Sequence, residues 1–407
     1  MKNRQLRIVI VGAGIAGLTL SAALWRRGMC SQIVEQASVL SEVGAGVQLS
    51  PNATRLLHRL GLADHLRSVA VRPEALEMRR WDDGRVLRRT ELGERCADLY
   101  GAPYLSVHRA DLHRGLFELV RHGNIHLGLR CAQARQDDDE VELRFVDGST
   151  MTADVVIGAD GIHSVVRDVL AADQPVYSGH GIFRGLVPTD ALPTPADEPT
   201  VGIWLGPGRH CVRYPVASGR LVSFAATTPV REWTTESWTA EGDVDDLVAQ
   251  YEGWHPNVVT LLRTARVVGQ WALHDRQPLP EPTAGHIAVI GDAAHPMLPF
   301  FAQGANQAIE DAAVLAGCLA QVSGAHDVPA ALARFAGIRA DRVARVHAES
   351  RRNEGMLHLA DGPDQRERDQ ILAGTADVTQ SEWLYGYDAD AAVTTPADHH
   401  EPEQEEV

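Results

Sequence analysis

The stretch from Leu6 to Glu35 constrains the fold more than any other part of the chain. Leu6–Val11 is a continuous apolar run of strand type. Gly12-Ala-Gly14-Ile-Ala16-Gly17 then turns, Leu18 to Arg27 reads as a helix rich in Ala and Leu, and Ile33-Val34-Glu35 is a second strand ending on an acid. This is a βαβ opening. Glycines in such a turn allow a sharp reversal and close backbone approach to a pyrophosphate, whose charge meets the helix N-terminus. Glu35 stands where an acid hydrogen-bonds ribose hydroxyls and repels a 2′-phosphate, so FAD or NAD fits there and NADP fits poorly.

Two later segments decide between the ligands. Gly158-Ala-Asp160-Gly161 follows the apolar strand Val155-Val156-Ile157, and Gly291-Asp292-Ala-Ala-His295 follows Ile287 to Ile290. Singly, Asp-Gly and Gly-Asp are ordinary turn dipeptides. At strand ends and in this order, with Asp292 placed to accept hydrogen bonds from ribityl hydroxyls, the three segments imply FAD held along its whole length.

The fold class expected is α/β, a Rossmann-type FAD-binding domain interleaved with a β-rich substrate domain and C-terminal helices. The FAD-binding domain is discontinuous (1–70, 106–175 and 281–325). The β-rich domain takes 71–105 and 176–280, with hairpin turns at Asp82-Asp83-Gly84 and, in the first domain, at Asp147-Gly148. One helix is expected near Asp245 to Trp254, a helical segment over 326–390, and an acidic disordered tail over 391–407.

At 407 residues the chain has material for more than one core. A net charge of −16 argues against nucleic-acid partners and against anionic membranes. The five cysteines are scattered, which fits a reducing cytoplasm. No signal peptide, membrane span or metal-ligand motif is read, and the Glu-, His- and Pro-rich run Asp398 to Glu405 is expected to be a solvated tail rather than a metal site.

Four stretches carry a resemblance over roughly residues 5 to 390. They are Gly44-Ala-Gly-Val-Gln48-Leu-Ser-Pro-Asn52-Ala, His108-Arg109-Ala-Asp111-Leu, Gly158 to Arg167, and Gly291 to Asp311. The chain resembles the class A flavoprotein monooxygenases, the family of para-hydroxybenzoate hydroxylase, with most likeness to salicylate hydroxylase and 3-hydroxybenzoate 6-hydroxylase. The resemblance implies that Arg109 contacts the cofactor and that Asp160-Gly161 serves FAD and the passing nicotinamide. It implies that Asp292 binds the ribityl region and that Gly304, Ala305 and Asn306 meet the flavin's pyrimidine edge with a helix N-terminus.

The family's chemistry is reduction of FAD by NADH or NADPH, reaction with O2 to a flavin hydroperoxide, and hydroxyl transfer to an electron-rich ring. A phenol is a better nucleophile once deprotonated, so a base near its oxygen is useful. His210 and Tyr214, at even spacing on a strand, share one face. By resemblance to the hydroxybenzoate and hydroxynicotinate branch, His210 is the expected base and Tyr214 the group orienting the ring. Arg184, Arg213 and Gln48 are candidates for a substrate carboxylate, with Arg213 on the alternate side of its strand.

Pro299 stands where the 3-hydroxybenzoate branch has glutamine, and Phe300-Phe301 makes that wall more apolar. The position of hydroxylation and any accompanying decarboxylation therefore stay open. A phenolic aromatic acid of hydroxybenzoate, salicylate or aminohydroxybenzoate type is the expected substrate, and a homodimer is a family-level expectation. The same groups would serve a tailoring oxygenase or epoxidase of a larger metabolite, and a non-catalytic flavin-binding protein would share the cradle.

Overall fold

The computed structural model describes residues 6–40, 45–120, 122–193, 199–230, 241–373 and 377–394. Gly44, Arg121 and the acidic run from Asp398 lie outside them. The first strand, Ile8–Val11, sits in a six-stranded sheet between Val155–Gly158 and Ser31–Glu35, parallel to both. Ile287–Val289 and Ile125–Leu127 extend it on either side, again in parallel.

Alternation along the first strand explains the layers. Ile8 and Ile10 join a core with Leu18, Leu20 and Leu24 of the helix Ile15–Arg26 and with Ile309 and Leu315 of the helix Gly304–Leu319. Val9 and Val11 face the opposite way, onto Val141, Leu143 and Phe145 of a three-stranded antiparallel sheet. A parallel sheet covered on both faces needs near-continuous apolar strands, as this one has.

The second domain is built on an eight-stranded sheet in which Val176–Pro188, Leu221–Pro229, Arg209–Val216 and Thr200–Gly206 lie side by side. One of its faces packs Phe183, Trp204, Cys211 and Phe224 against Leu247, Tyr251, Val258 and Leu261. The other packs Ile182, Leu205 and Leu273 against Leu298, Phe300 and Leu357 from the first domain and the C-terminal helices. No described helix is long and apolar enough to cross a membrane.

Several expectations need correction. The single helix near Asp245 to Trp254 is two, Val244–Gln250 and Pro256–Thr264. Pro256 opens the second helix, where its missing N–H costs nothing. The arm Thr150–Ile157 is split between two sheets at Asp154, whose carboxylate is held by the Arg7 backbone N–H at 2.8 Å and its Nε at 3.1 Å. The boundary drawn at 391 falls inside a helix, Ala389–Thr394, because Val393 is buried against Gly317.

Candidate active site

Three turns at the carboxyl ends of parallel strands build a cradle. A Cβ on Gly12 would lie 2.4 Å from the Ala159 carbonyl oxygen, and one on Gly17 would lie 2.1 Å from that of Gly12. Neither position admits a side chain. Gly14 and Gly161 instead face open space, with no atom within 4 Å of an added Cβ, which leaves the backbone accessible to a phosphate at the start of the helix Ile15–Arg26. Glu35 braces this turn: its carboxylate accepts from the Ala13 N–H and the Ala37 N–H, both at 2.8 Å. His113 holds the turn from the other side, with Nε2 2.8 Å from the Ala13 carbonyl.

The second turn is fixed from within. Asp160 accepts from the Ser164 hydroxyl at 2.6 Å and the Val165 N–H at 2.8 Å, so its carboxylate shapes the loop that presents Gly161. Arg167, buried, ties this turn to the third by donating to the Ala293 and Ala294 carbonyls at 3.0 and 2.8 Å. Its other edge meets Asp173, which also pairs with Arg276.

In the third turn, Ala16 from the first segment and Ala308 both pack against Gly291, whose added Cβ would sit 3.2 Å from each. Asp311 accepts from the Gly291 N–H at 2.9 Å, His295 Nε2 at 2.6 Å and Arg339 Nε at 2.7 Å. Burial works to raise the Asp311 carboxyl, but the charges of His295 and Arg339 win and hold it far below the usual carboxylate range. Glu310 beside it pairs with Arg339 and Arg342 and accepts from Asn52 Nδ2 at 2.6 Å.

This buried network anchors the helix Gly304–Leu319. Its first rung is Gln307 N–H to the Gln303 carbonyl, so the N–H groups of Gly304, Ala305 and Asn306 precede the ladder. Asp292 is exposed, with Oδ1 3.8 Å from where a Gly304 Cβ would be. The Asn306 side chain is spent on the Ser50 N–H at 2.9 Å and the Gln48 carbonyl at 3.1 Å, which leaves only its backbone N–H for a ligand.

Facing the cradle is the second sheet. Cross-strand register puts Arg184 opposite Ala225, Ala225 opposite Val212, and Ser223 opposite Tyr214. Side chains of paired residues share a face, so Arg184, Tyr214 and His210 all project toward the first domain. Arg184 has a buried Nε without a hydrogen-bond partner, and the charges of Asp292 and Arg109 and the Tyr214 phenol act on it. Arg109 opens the helix Arg109–Leu119, its N–H bonded to the Ala45 carbonyl.

Burial pushes the Tyr214 phenol up, opposed by Arg184 and by hydrogen bonds with Ser223 and Gln48. Gln48 also accepts from the Tyr104 hydroxyl at 2.8 Å. Arg213 lies on the opposite face, its guanidinium 5.4 Å from the Trp204 ring centre, and so drops out as a carboxylate ligand.

His210 is buried, and its Nδ1 lies 2.8 Å from His358 Nε2 and 3.1 Å from Thr227 Oγ1. Phe300 stands edge-on to this pair, 5.5 Å from the His210 ring centre and 5.3 Å from that of His358. His358, His113 and Arg339 are the residues that sequence reasoning missed, and Arg167, quoted in a motif, was given no role there. Asp311 and Asn52 lay inside motifs already singled out, but each touches its partners only through the fold.

A parallel sheet with an open glycine cradle, an acid at the second strand end and a helix N-terminus at the far end of the cleft defines an FAD-binding enzyme fold. The protein-family model that matches, over residues 5–350, is the FAD binding domain. The chain belongs to that family and within it to the class A FAD-dependent aromatic hydroxylases. It is 46% identical over 386 residues to 3-amino-4-hydroxybenzoate 2-monooxygenase of Streptomyces cremeus, covering 95% of this chain and 96% of that one. It is 33% identical over 397 residues to 3-hydroxybenzoate 6-hydroxylase of Klebsiella oxytoca, with 95% and 98% covered. Among solved structures, a salicylate hydroxylase substrate complex superposes with a TM-score of 0.82 at 28% identity, covering 97% of this chain and 98% of that one. The protein is an FAD-dependent aromatic-ring monooxygenase that uses O2 and a reduced nicotinamide.

Proposed function

We propose that this monooxygenase hydroxylates an amino-substituted hydroxybenzoate, with His210 as base, Tyr214 orienting the ring and Arg184 receiving the carboxylate. The observation that carries this reading is the convergence of those three side chains on one face of the substrate sheet, opposite the cradle. A desolvated guanidinium with an unpartnered Nε suits a carboxylate. The similarity to 3-amino-4-hydroxybenzoate 2-monooxygenase favours the amino-substituted class.

FAD, when bound, supplies activated oxygen for transfer to the ring. Gly12, Gly14 and Gly17 would admit its pyrophosphate, Glu35 its ribose, Asp292 its ribityl chain, and the N–H groups at Gly304 its ring edge. Asp160 acts through the loop it shapes, and Arg109 faces the ring side of the cleft. The protein's own part is positional and protonic. Burial, reinforced by His358 and His180, keeps the His210 imidazole neutral, so it can accept the phenolic proton at the nitrogen not turned to His358. Phe300 keeps water from that edge. A cytoplasmic protein independent of membranes and nucleic acid fits the net charge of −16 and the scattered thiols, and a homodimer rests on the family resemblance alone.

The test is nicotinamide oxidation by the FAD-loaded protein against a panel of hydroxy- and aminohydroxybenzoates, with product masses. Strong stimulation by an aminohydroxybenzoate and a product heavier by one oxygen supports the proposal. A lighter product would mean loss of carbon dioxide at the attacked carbon, and no stimulation by any benzoate would overturn the substrate class. His210→Ala should lower hydroxylation by roughly 10²- to 10⁴-fold at unchanged FAD content. An unchanged rate removes His210 as the base.

A further inference from the structure

Beyond the cradle and the substrate face, three side chains from distant parts of the chain meet beside His210. His180 sits on the strand Val176–Pro188 where its pairing with Val268–Asp275 slips between Tyr177 and Gly181. Glu354 lies in the last turn of the helix Val328–Leu357, and His358 caps that helix, so the two stand four residues apart on one side of it. One ligand atom from each of the three lies within 4.8 Å of the others.

His180 Nδ1 is 3.0 Å from Glu354 Oε1. It is nevertheless turned off the hydrogen-bond direction, and both His180 Nδ1 and His358 Nδ1 are buried without a hydrogen-bond partner. Unsatisfied buried nitrogens are uncommon and call for a ligand or an ion. His358 Nε2, by contrast, is engaged with His210 Nδ1.

We propose that His180, Glu354 and His358 form a site for one divalent transition-metal ion of zinc type. Two imidazoles and one carboxylate are a donor set that zinc and its neighbours accept, whereas calcium and magnesium prefer oxygen throughout. A liganding histidine ordinarily engages its second ring nitrogen in a hydrogen bond that fixes its tautomer, and His210 supplies that partner. The side chains of His180 and Glu354 are 17% and 27% exposed, which gives an ion a way in.

The experiment is calorimetric titration of zinc into the FAD-loaded, tag-free protein, beside hydroxylation assays in the absence of metal. Wild-type protein should bind one zinc, and His180→Ala and Glu354→Gln should each weaken binding by about ten-fold or more. Glu354→Gln should retain metal-free hydroxylation, FAD content and thermal stability, so that its weakened zinc binding is not a folding defect. Zinc affinity unchanged in both variants overturns the site, since the ion then binds elsewhere.

Discussion

Gly46 is the position where a single methyl group should separate substrate chemistry from cofactor binding. It lies on the strand Gly46–Leu49, paired with Leu105–His108, and an added Cβ would fall 2.4 Å from Tyr214 Cε2 and 2.8 Å from Ser223 Cβ. Ordinary carbon contacts are ~3.5–4.0 Å, so the ring would have to withdraw by roughly 1 Å. The backbone could not take up the difference cheaply, because the Gly46 N–H is bonded to Ser223 Oγ at 2.9 Å. Overpacking of this kind costs about 1–3 kcal/mol. A displacement near 1 Å of a ring-orienting group is worth about 10²-fold in rate.

Gly46→Ala is therefore expected to keep its FAD, lose roughly 10²-fold in kcat/KM for the aromatic acid, and uncouple nicotinamide oxidation from hydroxylation. The assay pairs flavin absorbance per protein with product formed per nicotinamide consumed. Gly337→Ala is the control: it lies in the helix Val328–Leu357, and an added Cβ there has no neighbour within 4 Å. Full coupling in Gly46→Ala would refute the claim that Tyr214 positions the substrate. Loss of FAD in proportion to activity would show that the strand serves the cradle instead.

Further outcomes follow from the same geometry. Arg184→Met should raise KM for carboxylated substrates by about 10-fold or more with little effect on bound flavin, whereas Arg213→Met, on the other face of the sheet, should leave KM alone; equal effects would contradict the register argument. Asp311→Asn leaves His295 without its buried anion and Arg339 with Glu310 alone, and should cost about 3 kcal/mol near neutral pH, read as a lowered denaturant midpoint. Because the folded carboxyl of Asp311 is depressed, its contribution is complete above the unfolded value near ~4 and is lost as pH falls through the folded one. The stability gap between wild type and Asp311→Asn should accordingly narrow below about pH 4, and a gap constant with pH would assign the loss to packing.

What the sequence made legible was whatever is written locally. Gly12 and Gly17 announce a close approach because no other residue fits beside the carbonyls at 159 and 12, and the alternation at His210 and Tyr214 survives as a shared face because strand period is 2. Asp160 shows the limit of that reading. Its place at a strand end was readable, but only the fold shows that its carboxylate is committed to Ser164 and Val165, so that it works by shaping a turn. Arg167 closes a quoted motif, but its hold on the carbonyls of 293 and 294 comes only with the fold. Arg339 on Asp311 and His358 on His210 act across chain separations too, and neither has a local pattern that distinguishes it from a solvated helix residue. Their partners become visible only when two domains and a C-terminal helix close on one another, and the polar groups thus buried must be satisfied there or by something that binds.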